Sequence, residues 1–273
     1  MTTIFHYEFI QNAIYSSILA SIACGIIGSL VIVNRMTFLA GGIAHANYGG
    51  VGLAFYLGLP FLPVATIFSL FISSLLALIT FKERERVDAL IGVMWAMGMA
   101  LGIILIDITP GYNPDIMSFL FGSIITVTHF DLYIMFFLDI FIISFILLYY
   151  RAIVLLSFDN EYAFTRGINT RLLYFLVLNM TGLSVVIVMR VVGIILVIAL
   201  LTIPSYMAEK YSSSFFKMMI LSIFLCLSFC LVGIYISYRF DLTSGATIVA
   251  VGSVTFLFSY ILKTFRSLKS RKL

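Results

Sequence analysis

Charge is what this 273-residue chain has least of. Lys, Arg, Asp and Glu together supply 10% of the residues, while 62% are hydrophobic. Soluble globular domains carry about 25% charged residues, so this composition excludes that class and points to a polytopic membrane protein. Cysteine is scarce as well. Cys24, Cys226 and Cys230 all lie in apolar runs and form neither a disulfide framework nor a zinc-ligand spacing. Cys226 and Cys230 are one helical turn apart, which would suit a soft-metal pair, yet buried thiols in apolar helices are chiefly small packing groups. No phosphate-cradling GxxxxGK[ST], nucleophile elbow, HExxH or dinucleotide glycine set occurs. The chain is therefore expected to catalyse no covalent reaction by itself and to need no cofactor. Low-complexity segments, flexible linkers and a clear internal repeat are missing too, so residues 1–273 read as a single transmembrane unit.

What is present is a succession of apolar runs. A bilayer helix uses about 20 residues, and the chain divides into about nine spans on that measure: 12–33, 38–58, 61–81, 89–107, 130–150, 172–190, 191–209, 216–237 and 244–263. Backbone polar groups find no partner in lipid, so the spans must be helices unless the chain closes a barrel. The runs show no period-two alternation. An all-α bundle is the expected fold. The first run is preceded by His6 and Glu8 but by no Lys or Arg, and is too long for a signal-peptide core, so it is expected to be a retained helix.

Basic residues collect in short cytoplasmic loops. With the N-terminus outside, the inside segments hold Arg35, Lys82, Arg84, Arg86, Arg151, Arg166, Arg171, Lys210, Lys217, Lys263, Arg266, Lys269, Arg271 and Lys272, and only Arg190 and Arg239 fall outside. Fourteen of the 16 basic residues then lie inside, which supports an odd number of crossings and a cytoplasmic C-terminus. The net charge of +4 follows from this topology and suits contact with anionic lipid. It implies no nucleic acid.

Three polar segments separate the spans. Residues 82–88 form a short inside turn in which Asp88 is placed to cap the next helix. Residues 107–115 hold two prolines and a glycine and must form an outside loop, followed by a short helix within 117–127 lying on or dipping into the outer face. The third, 151–171, contains Ser157–Ile168, a polar, acidic, glycine-punctuated stretch of helical length. In a chain with no soluble domain, that stretch reads as a docking element for a separate protein.

Within the spans, few groups are suited to chemistry. At helical spacing, Gly41, His45, Gly49 and Gly52 share one face. Small residues at such spacing let helices approach closely, and an intramembrane ionisable residue faces a cavity or a partner rather than lipid. His45 is thus the pathway candidate, the alternative being a histidine bonded within the bundle. Pro204 lies deep in the seventh span, where it frees the carbonyl of Leu200 and bends the helix, either for a substrate site or for packing. Met94, Met97 and Met99 beside Trp95 read as gap-filling residues.

Six ordered stretches then carry a resemblance. These are Asn34–Leu39 leading to His45, Asp88–Gly92, Met117–Gly122, Phe158–Asp159 with Ala163 and Gly167, Gly193–Pro204, and Ser244–Val249. The chain resembles the permease subunits of bacterial ABC importers for zinc, manganese and iron. The resemblance implies a multi-pass protein of the bacterial cytoplasmic membrane and a homodimer around a central pathway. It also implies two ATP-binding-cassette subunits on the cytoplasmic face and an extracytoplasmic metal-binding protein outside. It makes the segment around Phe158–Ile168 the coupling helix, with Asp159, Glu161, Ala163 and Gly167 as coupling positions. It places His45 as a metal contact, with Gly41, Gly49 and Pro204 shaping the pathway. One departure stands out. Family members with a proposed pathway metal site carry an acidic residue four positions before the histidine, where this chain has Gly41. The cargo is accordingly a divalent ion held in another way, or a chelated metal. A gradient-driven transporter is the rival reading, but Asp139 is the sole carboxylate in mid-span to serve it.

Overall fold

The computed structural model describes residues 8–82, 87–110, 120–122 and 127–270, leaving aside the side chains of 82 and 262–270. The described residues contain helices and no strand, as lipid demands. In chain order the helices are α1 (Glu8–Val33), α2 (Thr37–Ala46), α3 (Tyr48–Leu57), α4 (Phe61–Lys82), α5 (Val87–Asp107), α6 (His129–Phe158), α7 (Asn160–Thr165), α8 (Thr170–Val192), α9 (Val197–Tyr211), α10 (Phe215–Phe240) and α11 (Ser244–Ser270).

Among the described residues seven helices, α1, α4, α5, α6, α8, α10 and α11, are long and apolar enough to cross a membrane. The two remaining runs differ from the unbroken spans expected at 38–58 and 191–209. The first is interrupted at the buried Asn47, which ends α2 and begins α3. Asn and the glycines at 49, 50 and 52 are poor helix formers, and the Asn47 amide is drawn sideways to the Met189 sulfur, 3.9 Å away. The second is shorter because α8 continues to Val192 and the chain leaves helical geometry at Gly193, with φ +85° and ψ 162°, a region open only to glycine. Helix α9 starts at Val197 and has 15 residues, with Pro204 inside it. Of the short helix expected within 117–127, Leu120 and Phe121 are helical, and the remainder falls largely outside the described residues.

Helices α1 and α8 form the centre. The small side chains of α1 let it lie against α6, α8, α9 and α10 at once. At Gly28 a Cβ would lie 2.5 Å from Ser205 Oγ of α9. Polar side chains join α8 to α4. Ser73 and Ser74 donate to Asn179 Oδ1 at 3.0 and 2.9 Å, and Ser69 donates to the Gly182 carbonyl at 2.9 Å. Such interhelical bonds add to packing where lipid supplies no hydrophobic drive between helices. Large apolar side chains such as Ile67, Phe137 and Leu148 are exposed, as a lipid-facing surface requires.

The bundle has two distinct ends. At one, a cleft of about 310 Å³ gathers Arg35, Thr80, Phe81, Val87, Leu156, Asn160, Thr170 and Tyr174, so the α1–α2 turn, the end of α4, the start of α5 and the α6–α8 connection lie together. At the other, Asn12 Nδ2 donates to the Val127 carbonyl at 3.1 Å, and Arg190 at the end of α8 pairs with Asp131 at the start of α6 at 2.7 Å. There Gly122, Gly193 and Gly245 meet backbone to backbone. A Cβ on Gly122 would fall 2.5 Å from the Gly193 nitrogen, and one on Gly245 would fall 2.5 Å from the Val192 oxygen.

Candidate functional site

Two places in this fold hold the residues singled out from the sequence. The first surrounds His45, one residue before the end of α2. Its side chain is 8% exposed, and its ring stacks on Trp95 of α5 with centroids 3.9 Å apart and planes 7° apart. Trp95 in turn directs its indole N–H at the Met99 sulfur, 3.1 Å away on the next turn of α5. His45 Nδ1 is buried with no hydrogen-bond partner, an arrangement uncommon for a buried polar atom. The imidazole is thus held by stacking, leaving a nitrogen lone pair or N–H uncommitted.

The glycines around His45 meet three neighbouring helices. A Cβ on Gly41 would lie 2.5 Å from Ile198 Cδ1 of α9, whereas one on Gly49 would meet Phe68 Cζ of α4 at 2.7 Å and one on Gly52 would meet Gly102 Cα of α5 at 2.7 Å. His45, Gly49 and Gly52 nevertheless all meet α5, at Trp95, at the Gly98 carbonyl 3.1 Å from the Gly49 Cβ position, and at Gly102, and Gly41 alone departs from that face toward Ile198. Gly49 and Gly52, with Gly98 and Gly102 of α5, form a seam of direct backbone approach, the packing that small residues permit. Pro204 is buried in the middle of α9, on the helix that also carries Ile198. Among the described residues no three His, Cys, Asp or Glu side chains converge as a metal site. Cys24, Cys226 and Cys230 are buried free thiols, and Asp139 of α6 is buried with both carboxylate oxygens unpartnered.

The second place is α7, a six-residue helix between α6 and α8 at the Arg35 end. Asp159 caps it, its Oδ1 accepting from the Tyr162 N–H at 2.9 Å, as an extended N-cap residue does. Gly167 closes it with φ +78°. Its N–H bonds the Phe164 carbonyl at 3.0 Å while the Ile168 N–H bonds the Ala163 carbonyl at 3.2 Å, a glycine-dependent helix stop. Ala163 is completely buried under the helix, and Glu161 is exposed. Of the four expected coupling positions, Asp159 and Gly167 thus build the two ends, Ala163 seats the helix on the bundle, and Glu161 faces out. Three aromatic residues stand on the exposed surface: Phe158 at the end of α6 is 69% and Phe164 72% exposed, and Tyr162 carries Arg166 on its hydroxyl at 2.6 Å. The sequence contained the signal for Phe158 and Phe164, two large apolar residues in a polar segment outside every span. Trp95 had no such mark, because its role depends on where α5 meets α2.

Comparison with known proteins agrees along almost the entire chain. The sequence profile described as the ABC 3 transport family matches residues 6–263. The chain is 47% identical over 259 residues to an uncharacterized membrane protein of Synechocystis sp., covering 95% of this chain and 92% of that protein. It is 31% identical over 255 residues to the manganese transport system membrane protein MntC of Listeria monocytogenes, covering 93% and 91%. Its structure is similar to a chain of PsaBC from Streptococcus pneumoniae, solved in complex with Fab, with a TM-score of 0.85, 30% identity, and 94% and 92% of the two chains covered.

Proposed function

The chain belongs to the ABC 3 transport family, and from that membership we propose that it is the permease subunit of an ATP-driven importer for a divalent metal ion. The similarity to a manganese transport system membrane protein makes manganese the first ion to test. Two copies surround a central pathway lined by α2, with His45 as a metal contact in each. A separate cassette ATPase binds α7 on the cytoplasmic face, and an extracytoplasmic binding protein delivers the metal to the Arg190 end.

The single observation that carries this reading is α7 itself. It is a short, capped helix that exposes Phe164 beside the exposed Phe158 at the end of α6, and exposed aromatic pairs of this kind serve as anchors for a partner's pocket. The seven long helices, the α2–α3 pair and α9 make nine crossings, with the N-terminus outside and the C-terminus in the cytoplasm. The 14 basic residues on one side support that orientation. Closure of the ATPase pair moves α7, and its short links to α6 and α8 convert that motion into rocking of the helices around the pathway.

The test is reconstitution of the chain with a cassette ATPase and a binding protein from the same genome in sealed vesicles. Manganese should accumulate only when ATP is supplied on the ATPase side. Uptake driven by an ion gradient without ATP would overturn the reading. Uptake that requires an organic chelator would replace the free ion by a chelated metal as cargo.

A further inference from the structure

The last turn of α6 is tied to the last turn of α1 by one side chain. Asn34 Nδ2 donates to Ser157 Oγ at 2.9 Å and also to the Leu30 carbonyl at 2.9 Å. The two residues are 123 positions apart, and each stands at a junction. Ser157 is separated from α7 only by Phe158 and Asp159. Asn34 is separated from α2 only by Arg35 and Met36.

Both junctions are stiff. Arg35 adopts φ +57°, one of two non-glycine residues with positive φ among the described residues, and the Met36 N–H returns to the Val31 carbonyl at 2.8 Å. A left-handed non-glycine residue is costly and persists only where its surroundings determine it. Asp159 and Gly167 in turn give α7 fixed ends. The space beside the bond is open. The cleft of about 310 Å³ is lined by Asn34, Arg35 and Met36 together with Leu156, Asn160, Thr170 and Tyr174. The α1–α2 turn and the α6–α7 junction therefore border one cleft, and this hydrogen bond joins them beside it.

We propose that the Asn34–Ser157 hydrogen bond is the link through which displacement of α7 reaches α2 and its His45. Asn34 and Ser157 are positioning residues in this account and touch no cargo. The proposal rests on the reading above that α7 receives the ATPase. A pull on α7 moves Ser157, Ser157 carries the rigid Asn34–Met36 turn, and α2 pivots from that turn. His45 lies eight residues beyond Thr37, about 12 Å along the axis at 1.5 Å per residue, so a small rotation at the turn becomes a larger shift at the imidazole.

The bond can be removed without stranding its neighbours. In Asn34→Leu the Leu30 carbonyl keeps the residue 34 backbone N–H, now 3.0 Å away, and in Ser157→Ala the Asn34 amide keeps Leu30. The experiment uses the complete permease–ATPase–binding-protein complex in vesicles and measures manganese taken up per ATP hydrolysed, the basal ATP hydrolysis, and the amount of assembled complex. Uptake per ATP should fall about threefold to tenfold in Asn34→Leu and in Ser157→Ala, the range one hydrogen bond supports. Basal hydrolysis and assembly should stay unchanged, the double variant should be no worse than either single one, and Ser157→Thr should restore the wild-type ratio. An unchanged ratio in the single variants overturns the link, as does a loss that merely follows reduced assembly or adds up in the double variant. If the wild-type complex takes up no metal with ATP, the reading of the whole protein falls and the link falls with it.

Discussion

The imidazole of His45 lies parallel to the indole of Trp95 at 3.9 Å, so a helix of the proposed pathway is joined to its neighbour through the residue expected to contact the cargo. Replacing His45 by Leu should abolish metal-dependent uptake while leaving the amount of protein in the membrane unchanged. Trp95→Phe should retain most uptake, because a ring still covers the imidazole. Trp95→Ala should lower both uptake and thermal stability, since an aromatic pair contributes about 0.5–1.5 kcal/mol beyond its buried area. Normal uptake by a well-expressed His45→Leu protein would remove His45 from the pathway.

A carboxylate at position 41 would stand one turn from the imidazole and press on Ile198, whose Cδ1 lies 2.5 Å from the Cβ position. That atom is the tip of a flexible side chain, so Gly41→Asp should insert and fold. It should slow uptake or change the preference between manganese and zinc, because a second, charged ligand strengthens the hold on a divalent ion and alters the donor set. Competition assays in vesicles with both ions read this directly. An unaltered rate and preference would show that this face of α2 does not meet the cargo.

The α3–α5 seam tolerates no side chain. At Gly102 a Cβ would fall 2.8 Å from the Tyr48 carbonyl carbon, and backbone cannot step aside as a side-chain tip can. Gly102→Val should destabilise the protein by at least about 1–3 kcal/mol, seen as a lower unfolding temperature in detergent. Gly92→Ala is the matched control on the same helix, since nothing lies within 4 Å of its Cβ position, and it should leave stability unchanged or raise it by up to about 1 kcal/mol.

On α7, Phe164→Asp should weaken ATPase binding by about thirtyfold, the loss associated with a 2 kcal/mol anchor, while membrane insertion is unaffected. Gly167→Val forces a β-branched residue to φ +78° and should reduce transport by distorting the helix end. Pull-down of the ATPase separates the two effects, since Phe164→Asp removes the contact and Gly167→Val misplaces it. Full ATPase binding by Phe164→Asp would exclude this side chain as an anchor.

Orientation is open to labelling. In a protein whose three native cysteines are replaced, a single cysteine at Thr3 should react with an impermeant reagent in sealed cells, and one at Ser270 should react only after the membrane is opened. Labelling of residue 270 in intact cells would reverse the topology.

Much of the candidate coupling element is legible in the amino-acid sequence. Asp159 before a helical stretch and Gly167 after it are local signals, set by side-chain capping and by a φ that only glycine adopts cheaply, so spacing alone exposes them. The outward turn of Phe164 and the complete burial of Ala163 one residue earlier are not legible there, because they depend on how α7 lies against α6 and α8. Around His45, the small-residue pattern correctly signals close helix approach. His45, Gly49 and Gly52 meet α5 as that spacing expects, whereas Gly41 meets Ile198 of α9, a contact between remote segments that periodicity does not encode.

The amino-acid sequence by itself determined that this protein is a multi-pass helical membrane protein with a polar segment between its spans, because bilayer solvation acts on composition and run length irrespective of what packs against what. The tertiary structure decided where α8 stops and α9 begins, which helix each glycine touches, and that Asn34 reaches Ser157 across 123 residues. Those outcomes depend on contacts between segments remote in the chain, and a hydrogen bond or a backbone approach across such a distance leaves no periodic trace in either segment.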